Sequence, residues 1–192
     1  MNQQPITRYD TFTQVIHWVT AMLVLIAFIY GPGGPEHHIY SAAGDFDRHL
    51  HETLGLCVFV LVLIRIGWKF FYSKPEPPAM PRWMTIAAAS VQGILMLLLL
   101  ALPLTAITGA WLEGHPLTLL GGIEIPPLLN RAHDLGKTIA SIHGWLGDVI
   151  IYLAGAHAAA AIYHHVYRKD NVLISMLPHW FTTRILRRQG VQ

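Results

Sequence analysis

The sequence predicts an all-α protein, a four-helix transmembrane bundle. Of its 192 residues, 53% are hydrophobic and 12% are charged, whereas soluble domains carry about 25% charged residues. Four long apolar runs, at 12–30, 48–72, 83–108 and 138–167, are separated by segments rich in proline and glycine. Each run is close to or above the ~20 residues that a helix needs to cross a bilayer. We therefore expect residues 1–192 to form a single membrane domain.

The first predicted helix, residues 12–30, has an alternative interpretation as a secretory signal peptide. Its apolar run has the length of a signal-peptide core, and Ser41-Ala42-Ala43 resembles a cleavage site. That tripeptide lies further beyond the run than a signal peptide normally allows, which favours a retained helix. The following stretch, 31–47, contains Gly-Pro-Gly-Gly-Pro and predicts a loop.

A proline-rich linker separates helices two and three. Helix two, 48–72, ends before residues 74–78, because proline lacks the N–H that a continuing helix requires. Helix three, 83–108, contains no histidine, so we expect it to pack against and seal the bundle. Pro103 predicts a kink within it.

Helix four follows the longest loop, 109–137, in which residues 128–137 are expected to form a short interfacial helix. Helix four itself, 138–167, precedes a basic C-terminal tail, 168–192. Within this tail, residues 173–186 predict an amphipathic helix at the membrane surface.

The distribution of basic residues predicts the orientation of the chain, because cytoplasmic loops carry an excess of lysine and arginine. Three basic residues, Arg48, Arg131 and Lys137, fall on one side of the predicted helices. The other ten fall on the side of the termini: Arg8, Arg65, Lys69, Lys74, Arg82, Arg168, Lys169, Arg184, Arg187 and Arg188. We therefore expect both termini to lie in the cytoplasm.

Four histidines predict two cofactor sites centred on helix four. His157 follows His143 by 14 residues, which is nearly four turns and ~21 Å of rise, so both imidazoles leave one face. An ionisable side chain at membrane depth is costly and indicates a functional site. His17 lies at the depth of His157, and His51 at the depth of His143. Two bis-histidine sites follow, each built from two facing helices.

A small residue follows each of these histidines by about one helical turn. The residues four positions later are Ala21, Gly55, Gly147 and Ala161. A flat macrocycle lying against a helix needs such room, because residues four apart share one helix face.

Haem iron is the cofactor that this pattern favours. Zinc prefers tetrahedral sets of His, Cys and carboxylate ligands, whereas opposed imidazoles beside small residues suit haem. The chain lacks Cys-x-x-Cys-His, and its one cysteine is Cys57 within helix two, so attachment would be non-covalent. We expect two haem b groups that transfer electrons. His37 and His38 of the first loop and the nearby His49 could be interpreted as a metal site, but they lack regular ligand spacing, which argues against it.

Arg65 is a candidate partner for an anionic haem propionate. It follows His51 by 14 residues, so it repeats the spacing of the two histidines of helix four and should reach the inner haem. The alternative is an arginine at a helix end whose charged group snorkels to the membrane surface.

The motifs around these histidines resemble those of the bacterial cytochrome b561 family over essentially the whole chain. They are Ile16-His17-Trp18, Leu50-His51-Glu52-Thr53-Leu54-Gly55, Ser141-Ile142-His143-Gly144-Trp145-Leu146-Gly147, Gly155-Ala156-His157-Ala158-Ala159-Ala160-Ala161, His164-His165 and Lys169-Asp170-Asn171. The resemblance implies a four-helix inner-membrane protein with two b haems, ligated by the four histidines already named. It also points to electron transfer from periplasmic superoxide to ubiquinone, an activity found in the family.

The sequence leaves three functions open. The first is an oxidoreductase between a periplasmic donor, superoxide, and membrane ubiquinone, with Arg131, Lys137 and His133 as the entry patch for the anion. The second is a cytochrome b membrane anchor that carries electrons between quinone and a partner dehydrogenase or hydrogenase. The third, a small transporter or haem-binding sensor, is disfavoured because helix three has few polar residues and no output domain is evident. The expected partners are lipid, quinone and a small donor, with no nucleic acid.

Overall fold

The computed structural model describes residues 8–31, 45–72, 75 and 80–178. Within them the chain forms four long helices, a two-stranded hairpin, a π-helical turn and a short final helix. These are α1 (Thr11–Ile29), α2 (Asp45–Trp68), α3 (Arg82–Glu113), β1 (Leu117–Thr118), β2 (Glu124–Ile125), α4 (His133–Tyr163), the π-helical turn (His164–Arg168) and α5 (Val172–Met176). The four long helices are sufficiently long and apolar to cross a membrane, which confirms the predicted fold class. Following the predicted orientation, we call the end where α2 and α4 begin the outer end, and the opposite end the inner end.

Asp10 caps the start of α1 at the inner end. Its carboxylate accepts a hydrogen bond from the Thr13 backbone N–H at 3.0 Å, which satisfies one of the amides that a helix start leaves without a partner. Burial alone raises the pKa of this carboxyl, but hydrogen bonds from the Thr13 hydroxyl and amide outweigh that effect, and the pKa lies below its ordinary value. The cap is therefore ionised at neutral pH.

The short helix α5 packs beside this start of α1. The Tyr9 amide and Gln14 Nε2 both donate to the carbonyl of Ser175, at 3.2 and 3.1 Å. Trp18 Nε1 donates to the carbonyl of Met176 at 2.9 Å. The chain after α4 thus returns to the inner end of the bundle and contacts its first helix.

The long helices pack as two close pairs, α1 with α2 and α3 with α4. Two glycines allow the second pair to approach closely. A Cβ on Gly136 would lie 2.7 Å from Glu113 Cγ and 3.1 Å from the Gly109 carbonyl oxygen. α2 also touches α3, but α2 and α4 make few close contacts within the described bundle. The candidate site lies in the space between α2 and α4.

The connection between α3 and α4 differs from the sequence prediction. α3 continues to Glu113 and α4 already begins at His133, while residues 128–132 are not helical. The separate interfacial helix expected at 128–137 is therefore wrong. The connection instead forms an antiparallel hairpin, with Leu117 opposite Ile125. In the C-terminal tail, α5 ends at Met176, and residues 179–186 of the expected amphipathic helix lie outside the described residues.

Candidate cofactor site

The outer histidines, His51 of α2 and His143 of α4, face each other across the gap between the helix pairs. Their ring centroids are 5.9 Å apart, and their planes are nearly perpendicular, at 88°. His51 Nδ1 donates to the carbonyl oxygen of Ala27 at 2.7 Å, and His143 Nδ1 donates to that of Leu102 at 2.9 Å. Because a carbonyl oxygen only accepts, each neutral ring carries its proton on Nδ1 and keeps a lone pair on Nε2.

The two carbonyls come from neighbouring helices. Ala27 lies in the last turn of α1, where carbonyl oxygens lack intrahelical partners and are free to accept. Leu102 precedes Pro103 in the interior of α3. The Thr105 hydroxyl donates to the same Leu102 carbonyl at 2.9 Å and lies 3.4 Å from His143 Nδ1. Both imidazoles are thereby held in fixed orientations by the backbone around them.

An apolar cavity surrounds the facing rings. Its empty space, part of which is open to the exterior, is about 810 Å³. Residues of all four long helices and of β1 line it. The polar side chains among them are His51, His143 and Glu52. A wall of this kind suits a flat, largely apolar metal complex better than a hydrated ion.

Gly55 and Gly147 line the cavity one turn after the two histidines. A Cβ built on either glycine would meet no atom within 4 Å, so neither glycine is required by the close approach of another helix. The space beside both is open, and a macrocycle held between the imidazoles requires that space. The donor set, the apolar wall and the two open glycines therefore fit a haem group.

The hairpin covers the cavity at the outer end. Leu117 of β1 is buried and contributes to the lining. The Thr118 amide donates to the Glu52 carboxylate, and the Leu120 amide donates to Thr53 Oγ1 at 2.8 Å. α2 thus holds the hairpin through Glu52 and Thr53, the two residues that directly follow His51.

The inner candidates, His17 of α1 and His157 of α4, both interact electrostatically with Arg65 of α2. The charge of Arg65 acts on both imidazoles, and the His157 imidazole acts on His17. Arg65 also interacts electrostatically with Tyr9, just before α1. One arginine and two histidines from three different helices therefore come together at the inner end.

The predicted entry patch has a mixed charge. Arg131 and Lys137 are both exposed at the outer end. His133, the third member, lies 3.9 Å from the Glu113 carboxylate. In the neighbouring loop, burial lowers the pKa of His115 below its usual value; Glu113 opposes this effect and Arg131 adds to it. Two exposed cations therefore lie close to at least one acid.

A polar pair at the inner end was not assigned a role from the sequence. His164 Nδ1 lies 2.6 Å from Asp170 Oδ2, and both side chains are largely buried. Arg168 Nε lies 3.5 Å from the same carboxylate oxygen. The π-helical turn and the left-handed Lys169, at φ 53°, bring these side chains together, and such turns are frequent at functional sites. The sequence feature that could have pointed to His164 is its spacing from His157, which it follows by seven residues, or two helical turns.

His49, which lies within α2, belongs to no group of three or more candidate metal ligands among the described residues. His49 instead lies 2.9 Å from Arg48 Nη2. His37 and His38 lie outside the described residues.

Comparison with known proteins identifies one family. The family model described as prokaryotic cytochrome b561 matches residues 8–179. Cytochrome b561 homolog 1 of Escherichia coli (strain K12) is 30% identical over 174 residues, covering 86% of this chain and 95% of the relative. Cytochrome b562 of Cereibacter sphaeroides is 30% identical over 183 residues, covering 92% and 98%. Probable superoxide oxidase CybB of Yersinia pestis is 29% identical over 174 residues, covering 89% and 96%.

The matched region includes all four membrane-spanning helices and all four candidate histidines. The relatives align over nearly their full length. This chain therefore belongs to the prokaryotic cytochrome b561 family, and it is a multi-pass membrane cytochrome that binds haem b and functions in electron transport.

Proposed function

We propose that the protein holds two b haems and passes electrons from superoxide, at the outer surface of a bacterial inner membrane, to membrane ubiquinone. One haem lies between His51 and His143 and the other between His17 and His157, with both termini in the cytoplasm. The observation that carries the proposal is the outer pair of rings, 5.9 Å apart across an apolar cavity. Metal–imidazole bonds of about 2 Å on each side account for a separation of this size.

The surrounding residues prepare the outer site for electron transfer. Bound haem iron supplies a centre that accepts and releases one electron at a time. Ala27 and Leu102 fix the protonated Nδ1 atoms, so that both Nε2 atoms remain free to ligate. The apolar lining, including the buried Leu117, excludes water. With both imidazoles acting as ligands, the donor must react at the edge of the cofactor.

At the inner site, Arg65 provides the positive charge. It is half-buried and acts electrostatically on His17 and His157, so it is near any group bound between them. We assign it to an anionic haem propionate, because a buried cation requires a compensating partner.

Superoxide is the donor that best suits a closed, edge-reacting site, because it is small and needs no coordination to the iron. The Yersinia pestis relative is named a probable superoxide oxidase, which supports this choice. The exposed cations Arg131 and Lys137 form the entry patch, because they attract an anion to the outer end.

Electrons leave at the inner end, where ubiquinone is reduced. Each ubiquinone takes up two electrons and two protons to give ubiquinol, and two superoxide ions supply the electrons as they are oxidised to O₂. His164 is on the face of His157, two turns further towards the inner surface. Asp170 holds its Nδ1, which leaves Nε2 to pass protons from water to the reduced quinone.

Stopped-flow spectroscopy of the purified haem-loaded protein tests the proposed function. Superoxide should reduce the haem, and added ubiquinone should reoxidise it with formation of ubiquinol. Prior addition of superoxide dismutase should abolish both signals, and His143→Ala should impair reduction, whereas Tyr152→Ala, at an exposed position on the same helix, should not.

A haem-loaded protein that superoxide does not reduce would remove this donor. The membrane-anchor function would then be favoured, and a dehydrogenase or hydrogenase subunit should copurify with the protein from mildly solubilised membranes.

A further inference from the structure

The β1–β2 hairpin lies deeper than the helix ends that it connects. The Leu120 amide bonds to Thr53 Oγ1 at 2.8 Å, and Thr53 is in the third turn of α2. His51, two residues before Thr53, donates a hydrogen bond to the carbonyl of Ala27, in the last turn of α1. The tip of the hairpin therefore reaches the level of that turn, where Ile29 is exposed. In a membrane-spanning helix, exposed apolar side chains of this kind face lipid.

Four backbone amides of the hairpin, those of residues 118, 119, 120 and 122, have partners within the protein. In lipid, every backbone N–H and C=O requires a partner within the protein. The Leu119 amide donates to the Ile123 carbonyl at 2.8 Å, and the Gly122 amide donates back to the Leu119 carbonyl at 3.0 Å. Gly121 and Gly122 have φ of 90° and 80°, which glycine adopts without steric cost. α2 supplies acceptors for two further amides, those of residues 118 and 120.

The outward side of the hairpin is apolar. Leu120 is 40% exposed, Ile123 is 63% exposed, and Leu128, just after β2, is 74% exposed. From residue 116 to 130 the sequence has one charged residue, Glu124. Glu124 is also exposed, but side chains alternate along a strand, so it leaves the hairpin on the side opposite to that of Ile123.

We propose that this hairpin inserts into the outer margin of the bilayer, with Leu120 and Ile123 among the lipid acyl chains. Lipid is the occupant because the apolar tip lies at the same level as the exposed apolar end of α1. The tip also has no cluster of charges with which a soluble protein would pair. Its inward residue, Leu117, meanwhile closes the cavity.

Site-directed spin labelling of the full-length, haem-loaded protein tests the insertion. Cys57 is exposed and is first replaced by Cys57→Ala. A nitroxide is then attached at Ile123→Cys, and separately at Leu120→Cys, in liposomes of phosphatidylethanolamine and phosphatidylglycerol. Collision rates with O₂, which concentrates in lipid, and with a water-soluble nickel chelate are compared. Tyr152→Cys in the middle of α4 and Asp134→Cys in its first turn, both exposed positions, serve as the lipid and water references.

Insertion predicts that labels at positions 120 and 123 collide with O₂ more than with the nickel chelate, as the label at position 152 does. Collision ratios equal to that at position 134 would overturn the proposal, because the tip would then be in water. Low collision rates with both reagents would also overturn it, because the tip would then be covered by protein.

Discussion

The orientation of each imidazole decides which atom is available to a cofactor. His51 and His143 each place Nδ1 on a backbone carbonyl, so both rings present Nε2 to the cavity in the neutral state that binds iron. The pairing of His51 with His143 was predicted from the position of each histidine along its apolar run, which the local sequence shows. The carbonyls of Ala27 and Leu102 come from other helices, and no local pattern reveals them.

Single substitutions of the four histidines should separate the two proposed haems. We expect His51→Ala and His143→Ala to disturb the same haem, because each removes one ligand of a shared iron. His17→Ala and His157→Ala should disturb the other haem. Haem content and low-temperature absorption spectra measure the effect, with His133→Ala as the control. Loss of one and the same haem in His17→Ala and His51→Ala would show that the pairing is wrong.

Removal of the Arg65 charge should lower the midpoint potential of the inner haem. Reduction adds an electron to the site, and a nearby cation stabilises the reduced form. At ~10 Å and an effective dielectric constant of ~20, one unit charge contributes about 1–2 kcal/mol, or some tens of millivolts for a one-electron couple. Redox titration of Arg65→Ala measures the shift. Arg65→Lys should retain most of the potential, and Arg82→Ala, an exposed arginine at the inner end, should not change it. An unchanged potential in Arg65→Ala would favour an arginine that only snorkels to the surface.

At the scale of the elements, four apolar runs were enough to predict four helices, because a membrane requires continuous hydrogen bonding and a continuous apolar surface. The hairpin was missed because strands of two residues are too short for an alternating pattern. The sequence predicted only a loop at 109–137, because the side chains that hold the hairpin, Glu52 and Thr53, lie 66 and 67 residues before the amides that they bind. The extension of α4 to His133 was likewise missed, since it rests on contact with α3 at Gly136.

Gly136→Ala should destabilise the α3–α4 pair. The added Cβ would lie 2.7 Å from Glu113 Cγ and 3.0 Å from the Glu113 backbone nitrogen, so the helices must move apart. Overpacking of this kind typically costs about 1–3 kcal/mol, offset in part by the ~1 kcal/mol that alanine gains over glycine in a helix. Thermal unfolding in detergent, followed through haem absorbance, should give a lower Tm than in the parent.

Gly144→Ala is the matched control, because it lies on the same helix and its Cβ would meet no atom within 4 Å. Its Tm should equal or exceed that of the parent protein. Equal Tm values for the two variants would show that close packing at Gly136 does not limit stability.

At the scale of the whole molecule, the distribution of charge supports the proposed orientation and affects the access of an anionic donor. The exposed outer end carries acids in addition to its cations, among them Asp47, Glu124 and Asp134. An anionic donor is therefore attracted by only a small part of this surface. We expect such a donor to associate more slowly with this surface than with a uniformly basic one, and we expect the rate to depend more on individual cations.

Charge reversal of the entry patch should slow haem reduction by superoxide. Arg131→Glu combined with Lys137→Glu replaces attraction with repulsion, so the second-order rate constant should fall ~10-fold or more. Added salt should slow the parent protein but accelerate the double variant, because screening weakens both attraction and repulsion beyond ~10 Å at 0.1 M ionic strength. Stopped-flow measurements at two ionic strengths give both quantities. Asp134→Asn, which removes an exposed acid nearby, should increase the rate, and Arg82→Glu at the inner end should leave it unchanged. If both charge reversals leave reduction and its salt dependence unaltered, superoxide stays the donor but reaches the haem by another route.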